Sequence, residues 1–528
     1  MSIIGYWLPS APVAFTPSEV AEYVQHFRYQ CMIVQHPQTG AIGIATQGEW
    51  AEEGYPVLAI LPAMYPEWLG NRSFAQNHSV RFPYVSGAMA NGIATTDLVI
   101  AIVKMGGMGF FGAAGLPVQK VSEALDRLQA ALGLEGNWGS NLIHSPNEPE
   151  LEQAIVELYL RRGVRRISAA AYMKLSPFIV RYALKGIFRD ENGVIQRPNL
   201  VFAKISRPEV ARHFMSPPPT KMVQELLEKG WITPEEAALA PLLSVAEDII
   251  VESDSGGHTD NQALSALFPS ISQLRDEVQK QYGFQREIRL GAAGGLGDPQ
   301  AVAAAFSMGA DFCLTGSINQ GCIESGLHPS GKELLAKVGL GDVMMAPAAD
   351  MFELGVEVQV LKRGSMFGVR ALKLYEGYRH YDSLWSIQGA DKVELEKILK
   401  NTVEQAWSET QTYWEERDGA EAVRAQRDPK HQMALLFRSY LGLSSKWAIH
   451  GLADRKLDYQ IWCGPAMASF NQWAKGSFLE KTQNRQAAQV ARNLLEGACQ
   501  IIRAEQLRAC GVAVPASCFV TKPILWNS

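Results

Sequence analysis

A chain of 528 residues is too long for one compact core and is expected to divide into roughly two to four domains. Its 49 basic and 54 acidic residues leave a net charge of −5, which excludes a protein that coats nucleic acid through overall charge. Hydrophobic residues at 47% and charged residues at 20% exclude the disordered and fibrous classes, and no uncharged apolar run reaches the ~18 residues of a membrane span.

Residues 1–80 read as a small appended unit, in which Cys31–Val34 and Ala41–Ala45 flank a turn and predict a β-hairpin. From about residue 82, short apolar runs alternate with helical stretches. Eight runs qualify as strands: Tyr84–Ala88, Met108–Gly112, Trp138–Ile143, Arg166–Ala170, Leu200–Ile205, Asp248–Glu252, Ile288–Ala292 and Asp311–Thr315. Between the second and third, Val121, Leu125, Leu128 and Leu132 recur at three- and four-residue steps and predict an amphipathic helix. Continuous apolar strands alternating with helices imply a parallel sheet covered by helices, and eight such units suit an α/β fold of the (β/α)8 TIM barrel type. Past residue 345 the rhythm changes, and 391–416, 419–442 and 479–507 read as long amphipathic helices, the last of which could return to the barrel. The expected division is therefore 1–80, an N-terminal extension with a β-hairpin; 81–345, the barrel; and 346–528, a mainly helical C-terminal domain that caps the substrate.

The seven cysteines (Cys31, Cys313, Cys322, Cys463, Cys499, Cys510 and Cys518) are odd in number, scattered and without a C-x-x-C pair. Neither a disulfide framework nor a metal site is expected from that spacing. The first residues carry no positive segment and no small-residue cleavage site, so the cytoplasm is the expected compartment.

Two motifs are decoys. Gly107-Met108-Gly109-Phe110-Phe111-Gly112 satisfies G-x-G-x-x-G, but a dinucleotide fingerprint needs a second strand ending in an acid about 20 residues on. The next strand carries Asn141 and no acid. Gly326-Leu327-His328-Pro329-Ser330-Gly331-Lys332-Glu333 imitates a P-loop, yet Glu333 stands where a hydroxyl must hold magnesium.

The strongest local signal is Leu290-Gly291-Ala292-Ala293-Gly294-Gly295-Leu296-Gly297-Asp298-Pro299. A strand enters a glycine turn, then Asp298 serves as N-cap with Pro299 at the first helical position. The N–H groups of Gly294 and Gly295 would face an anion at that helix terminus. The eighth strand delivers Gly316-Ser317 to the same rim, and paired glycine turns at strands seven and eight are where such barrels commonly hold a phosphate. At the end of strand six, Gly256-Gly257-His258 sets an imidazole on the rim that carries barrel chemistry.

Together these residues resemble the flavin-dependent barrels of the nitronate monooxygenase and enoyl-reductase superfamily over about residues 82–330. Ala292-Ala293-Gly294-Gly295 with Gly316-Ser317 looks like its FMN-phosphate site, Gly256-Gly257-His258 like its G-G-H motif, Ser86-Gly87-Ala88-Met89 like its first FMN loop, and Asn141 like the asparagine after its third strand. Over nearly the whole chain the sequence is similar to the PfaD-type trans-acting enoyl reductases of polyunsaturated fatty acid and polyketide synthases. Ser253–Asn261, Leu314–Gln320, Lys174-Leu175-Ser176-Pro177, Gly364-Ser365-Met366-Phe367 and Tyr459–Met467 carry that likeness.

The resemblance implies FMN and NADPH as cofactors, with Gly87, Ala88, Met89, Asn141, Gly256, Gly257, Gly294, Gly295, Gly316 and Ser317 around the flavin. It implies reduction of an α,β-unsaturated thioester, with His258 beside the enolate as proton donor or positioning group. Tyr172 and Lys174 are weaker second choices, better explained as a packed aromatic and a solvated lysine. A nitronate-oxidising enzyme and a catalytically silent docking subunit of a synthase are the alternatives. The expected partner is an acyl carrier protein, since acyl carrier domains are acidic. The window 161–189 holds Arg161, Arg162, Arg165, Arg166, Lys174, Arg181, Lys185 and Arg189 and no acid, which would suit docking if these residues share a face. No nucleic-acid or membrane partner is expected, and a homodimer is the commonest assembly for such a chain.

Overall fold

The computed structural model describes residues 2–144 and 148–526. Its centre is a closed barrel of eight parallel strands: β1 (Tyr84–Ser86), β2 (Met108–Phe111), β3 (Trp138–Ile143), β4 (Arg166–Ala170), β5 (Leu200–Ile205), β6 (Asp248–Glu252), β7 (Arg289–Ala293) and β8 (Phe312–Thr315). Neighbours follow chain order, and β8 closes on β1 with Cys313 opposite Tyr84 and Thr315 opposite Ser86. Each sequence run sits on its strand to within a residue or two, because apolar side chains are needed on both faces of a strand between a packed lumen and a helical coat. The lumen is filled by Val85, Phe110, Phe202, Ile250, Ala293 and Leu314. Phe74, on the short helix Arg72–His78, plugs the lower end and stacks on Phe312 with ring centroids 4.4 Å apart.

The expected helix between β2 and β3 is Val118–Leu132, with Val121, Leu125 and Leu128 buried. The helix that should follow β8 comes much later in the chain. Ala487–Ala509 packs against Pro299–Ser307 and Thr96–Met105, the helices that follow β7 and β1. Val490, Ala491, Leu494, Leu495 and Ala498 are buried in the barrel's main core. Residues 316–486 thus form one long excursion between the last strand and the helix in the eighth outer position. The excursion has a core of its own that includes Phe352, Val358, Phe367, Leu374, Met433 and Phe437.

The excursion is mainly helical, with one departure from the expected pattern. Val343–Pro347 and Glu357–Leu361 are antiparallel strands, and the second also pairs with Gly257–His258, giving a three-stranded sheet. The stretch 391–416 divides at Lys400, whose φ of 55° ends the helix Gly389–Leu399, and Thr402 caps Val403–Arg417. The stretch 419–442 divides where Asp428 caps and Pro429 opens a new helix that runs to His450.

At the N-terminus the predicted hairpin is present as Cys31–Gln35 and Ile42–Ala45, within a five-stranded antiparallel sheet completed by Gly5–Pro9, Gly48–Ala51 and Tyr55–Leu61. This sheet docks on the far half of Ala487–Ala509 through Ile33, Ile44, Ala504 and Leu507. Arg28 bridges to Glu496 at 2.6 Å, and Arg503 donates to the carbonyl of Phe27. No described helix is long and apolar enough to cross a membrane.

Candidate active site

Above β7 the chain turns through Gly294 (φ +84°) and Gly295 (φ +69°), a left-handed pair that only glycine adopts without strain. A Cβ on Gly294 would lie 2.4 Å from Ser253 Oγ, so the turn is pressed against the loop that leaves β6. Asp298 Oδ1 then accepts from Ala301 N and caps Pro299–Ser307 as expected. A Cβ on Gly295 or on Gly316 would meet nothing within 4 Å, so the two turns face open space. Among the described residues the backbone N–H groups of Gly295, Leu296 and Gly316 donate to no protein acceptor. Unpaired N–H groups at the ends of two neighbouring strands, beside open space, are the donor type that an oxyanion site uses.

The G-G-H turn after β6 lies beneath the excursion. Gly256 and Gly464 approach each other so closely that a Cβ on Gly256 would stand 2.7 Å from Cys463 N, and one on Gly464 2.7 Å from Gly256 N. Trp462-Cys463-Gly464 is also tied to the β8 turn, because Gln320 Nε2 donates to the Trp462 carbonyl at 2.6 Å. Burial pushes the Cys463 thiol up to about 12, so it carries no thiolate chemistry. His258 pairs with Val358, is 48% exposed at its side chain, and places Nε2 3.2 Å from Asp350. Burial raises the Asp254 carboxyl four residues earlier, against a 3.0 Å hydrogen bond from Gln359 Nε2.

Asn141 lies within β3 rather than after it, and its Oδ1 accepts from Ala114 N at 3.0 Å. Gly87-Ala88-Met89 follows β1, with Gly87 N donating to the Thr315 carbonyl, which joins this loop to β8. The mouth therefore brings together Gly87, Asn141, the G-G-H turn and both phosphate-type turns. It also holds the wall Trp462–Gly464, which the sequence marked only as part of the family likeness, and an ion pair that sequence reasoning passed over, Lys204 Nζ to Glu252 Oε1 at 2.8 Å.

The basic window does not make one face. Arg166 is 6% exposed and lies at the lower end of the barrel, where Nη1 donates to the Gly136 carbonyl. Arg161, Arg162 and Arg165 precede β4 and belong to that end, whereas Lys174 follows β4 at the mouth. Arg162 pairs with Asp126, Arg165 with Glu135, Arg181 with Glu157 and Lys185 with Glu236, while Arg189 bonds the Gly193 carbonyl. Acids from neighbouring segments neutralise what looked like an unopposed run. Tyr172 is buried, with its hydroxyl on Glu152, and Lys174 is exposed. Of the decoys, Gly109 is buried inside β2, and Lys332 is turned inward onto the carbonyls of Ile323 and Ser325.

The family model for nitronate monooxygenase matches residues 72–414, more than half of the chain. Residues 381–459, inside the excursion, match the inserted helical domain of [acyl-carrier-protein] S-malonyltransferase. The structure of the enoyl reductase domain of MlnA, from the macrolactin biosynthesis cluster of Bacillus amyloliquefaciens, superposes with a TM-score of 0.80 at 36% identity, covering 84% of this chain and 99% of that one. The chain belongs to the PfaD-type enoyl reductases of the nitronate monooxygenase-like barrels.

Two relatives of the family illustrate its setting. A polyunsaturated fatty acid synthase component of Thraustochytrium is 45% identical over 448 residues, 83% of this chain and 30% of that protein. Polyketide biosynthesis protein PksE of Bacillus subtilis is 43% identical over 430 residues, 81% of this chain and 56% of that protein. The chain thus spans from about a quarter to just over half the length of the curated relatives it matches. A phosphate-bearing cofactor fits the turns at Gly295 and Gly316, which leave backbone N–H donors without a protein acceptor and open space at both Cβ positions.

Proposed function

We propose that this chain is an NAD(P)H- and FMN-dependent enoyl reductase that reduces α,β-unsaturated acyl thioesters presented in trans by an acyl carrier protein, in polyunsaturated fatty acid or polyketide biosynthesis. The observation that carries the proposal is the open two-turn cradle at Gly295 and Gly316 in a chain whose relatives are enoyl reductase and synthase components. When bound, FMN supplies a hydride acceptor for NADPH and a hydride donor for the β-carbon of the substrate.

The chain's own residues do the remaining work. Gly294, Gly295, Gly316 and Ser317 would hold the phosphate with backbone N–H groups and the dipole of Pro299–Ser307. Gly87-Ala88-Met89 and Asn141 line the flavin's side of the mouth. His258 stands at the rim, where its imidazole can give a proton to the α-carbon or orient the thioester carbonyl. Gly256 and Gly257 fix the turn that presents it. Trp462–Gly464 and the strand Glu357–Leu361 cover the turn and exclude water from one side. The carrier protein reaches the mouth from the open side, and the dispersed basic window has no special part in that approach.

The decisive measurement is NADPH consumption by the flavin-loaded chain with crotonyl-type thioesters, free and carrier-bound, against nitroalkanes. Thioester reduction is expected, with His258→Ala retaining FMN and losing at least 100-fold in rate, the usual worth of a general acid. Turnover of nitroalkanes alone would favour the nitronate-oxidising reading. Absence of flavin absorbance near 450 nm after FMN addition would leave the docking-subunit reading.

A further inference from the structure

Between the barrel's coat and the excursion runs a groove of about 920 Å³ that the chemistry at the mouth does not use. It is lined by the start of Pro299–Ser307, by Ala466–Ala474, by the loop 336–340 and by the C-terminal segment 519–522. Ala466–Ala474 is the helix that continues from the Trp462–Gly464 wall of the mouth. Gly297 packs against the Ala466 carbonyl with no room for a side chain, so the groove begins where the rim above β7 ends.

The groove is braced from within. Arg485, only 1% exposed, donates to Asn471 Oδ1 at 3.1 Å, and Asn471 Nδ2 donates to the carbonyls of Leu335 and Val338 at 2.8 and 3.0 Å. The excursion loop and the helix are thus held at a set spacing before any partner arrives.

Its lining joins exposed apolar side chains to unpaired positive charge. Leu340 is 74% exposed and Val520 66%, a solvation that favours covering them. Five cations line the groove against two acids, in a chain whose net charge is −5. Both acids are engaged within the fold: Asp298 caps its helix, and Glu480 Oε2 accepts from Gly476 N. Arg363 pairs with Asp342 at 3.2 Å, whereas Lys337, Lys475 and Lys522 are exposed and enter no ion pair among the described residues. These lysines come from three separate segments and meet at one groove, unlike the window 161–189, whose charges spread over two ends of the barrel and meet neighbouring acids.

We propose that this groove is the docking surface for the acyl carrier protein, which lays an acidic helix among Lys337, Lys475 and Lys522 and sets apolar side chains on Leu340 and Val520. The proposal rests on the enoyl reductase reading above. The lysines steer the encounter with an acidic partner, and the apolar contacts hold it once docked. A carrier seated beside the rim has the base of its prosthetic arm next to the mouth that the thioester must enter.

The test uses the full FMN-loaded chain and a phosphopantetheinylated carrier domain of the synthase it serves. Reversing the three charges together (Lys337→Glu, Lys475→Glu, Lys522→Glu) should raise the Kd for the carrier at least tenfold, read by fluorescence anisotropy. The KM for a carrier-bound crotonyl thioester should rise as much, with kcat and KM for crotonyl-pantetheine unchanged. Added salt should weaken carrier binding to the native chain far more than to the triple variant. Leu340→Asp, a single exposed change, should also weaken binding tenfold and decides alone if the triple variant does not fold. An unchanged Kd overturns the proposal. So does an equal rise in KM for both thioesters, which would place the effect at the mouth. A native chain that binds the carrier through these lysines yet reduces no thioester defeats the reductase reading and leaves the docking surface standing.

Discussion

Gly294 and Gly316 separate two reasons for glycine at one cradle. At Gly294 a side chain would meet Ser253 backbone at 2.7 Å while the residue holds a φ of +84°, so space and conformation both forbid it. At Gly316 the backbone is not left-handed and a Cβ would enter empty space, the space that an oxyanion would fill. Gly294→Ala should therefore destabilise the fold by about 1–3 kcal/mol, read as a lower Tm without ligand. Gly316→Ala should leave that Tm unchanged but raise the Kd for FMN at least tenfold, seen by fluorescence titration. Equal FMN affinity in Gly316→Ala and the native chain would show that the phosphate lies elsewhere. These glycines were legible in the sequence because strand, turn, N-cap and helix follow in an order that has one common use. Lys204 left a fainter trace, the single charge inside Leu200–Ile205. Its significance lies in its pairing with Glu252, 48 positions along the chain, which spacing does not reveal.

The strands of the barrel also carry a polar layer at the lower end, opposite the mouth. Asp248 opens β6 and receives two bonds from Arg289 at 2.7 and 2.8 Å, while His78 Nε2 lies 3.0 Å from it. Arg166 Nε approaches His78 Nδ1 at 3.4 Å, which requires that nitrogen to be the acceptor and leaves the proton on Nε2. Burial lowers the His78 imidazole below its ordinary value, and although Asp248 opposes this, Arg289 and Arg166 add to it. The native state therefore holds this histidine neutral at pH values where the unfolded chain protonates it. The unfolded state then binds more protons, so stability falls as pH drops below about 6.5. Burial works to raise the Asp248 carboxyl, but Arg289 and His78 outweigh it and hold it below the usual range, so its loss comes only below about pH 4. The Tm of the native chain should decline between pH 7 and pH 5, and His78→Gln should flatten that decline. A parallel decline in the variant would place the acid sensitivity elsewhere. At this scale, apolar runs were enough to locate the eight strands, since burial on both faces dictates their composition. The strands Val343–Pro347 and Glu357–Leu361 escaped notice because each is short and stands among helices. Alternation at Val356, Val358 and Val360 was their available signal.

For the whole molecule, the order of elements along the chain differs from their order around the barrel. Helical periodicity in residues 479–507 could be seen, but nothing in it says that Ala487–Ala509 returns across the excursion to pack between the helices that follow β7 and β1. That return depends on tertiary partners, and it makes Ala487–Ala509 part of the barrel's core. Val490, Leu494 and Leu495 are fully buried there, and at ~1.5–3 kcal/mol per buried aliphatic side chain they contribute roughly as much as a typical domain's entire net stability. The same helix anchors the N-terminal sheet through Ala504, Leu507 and the Arg28–Glu496 bridge, so its loss would release both layers. A chain ending at residue 485 should therefore fail to fold despite keeping every strand of the barrel and both glycine turns at its mouth. Insoluble protein, or soluble protein without a cooperative thermal transition and without FMN binding, is the expected result. Leu494→Asp in the full chain should act in the same direction. A truncated chain that binds FMN and melts cooperatively near the native Tm would show that the eight-stranded body closes without its last helix.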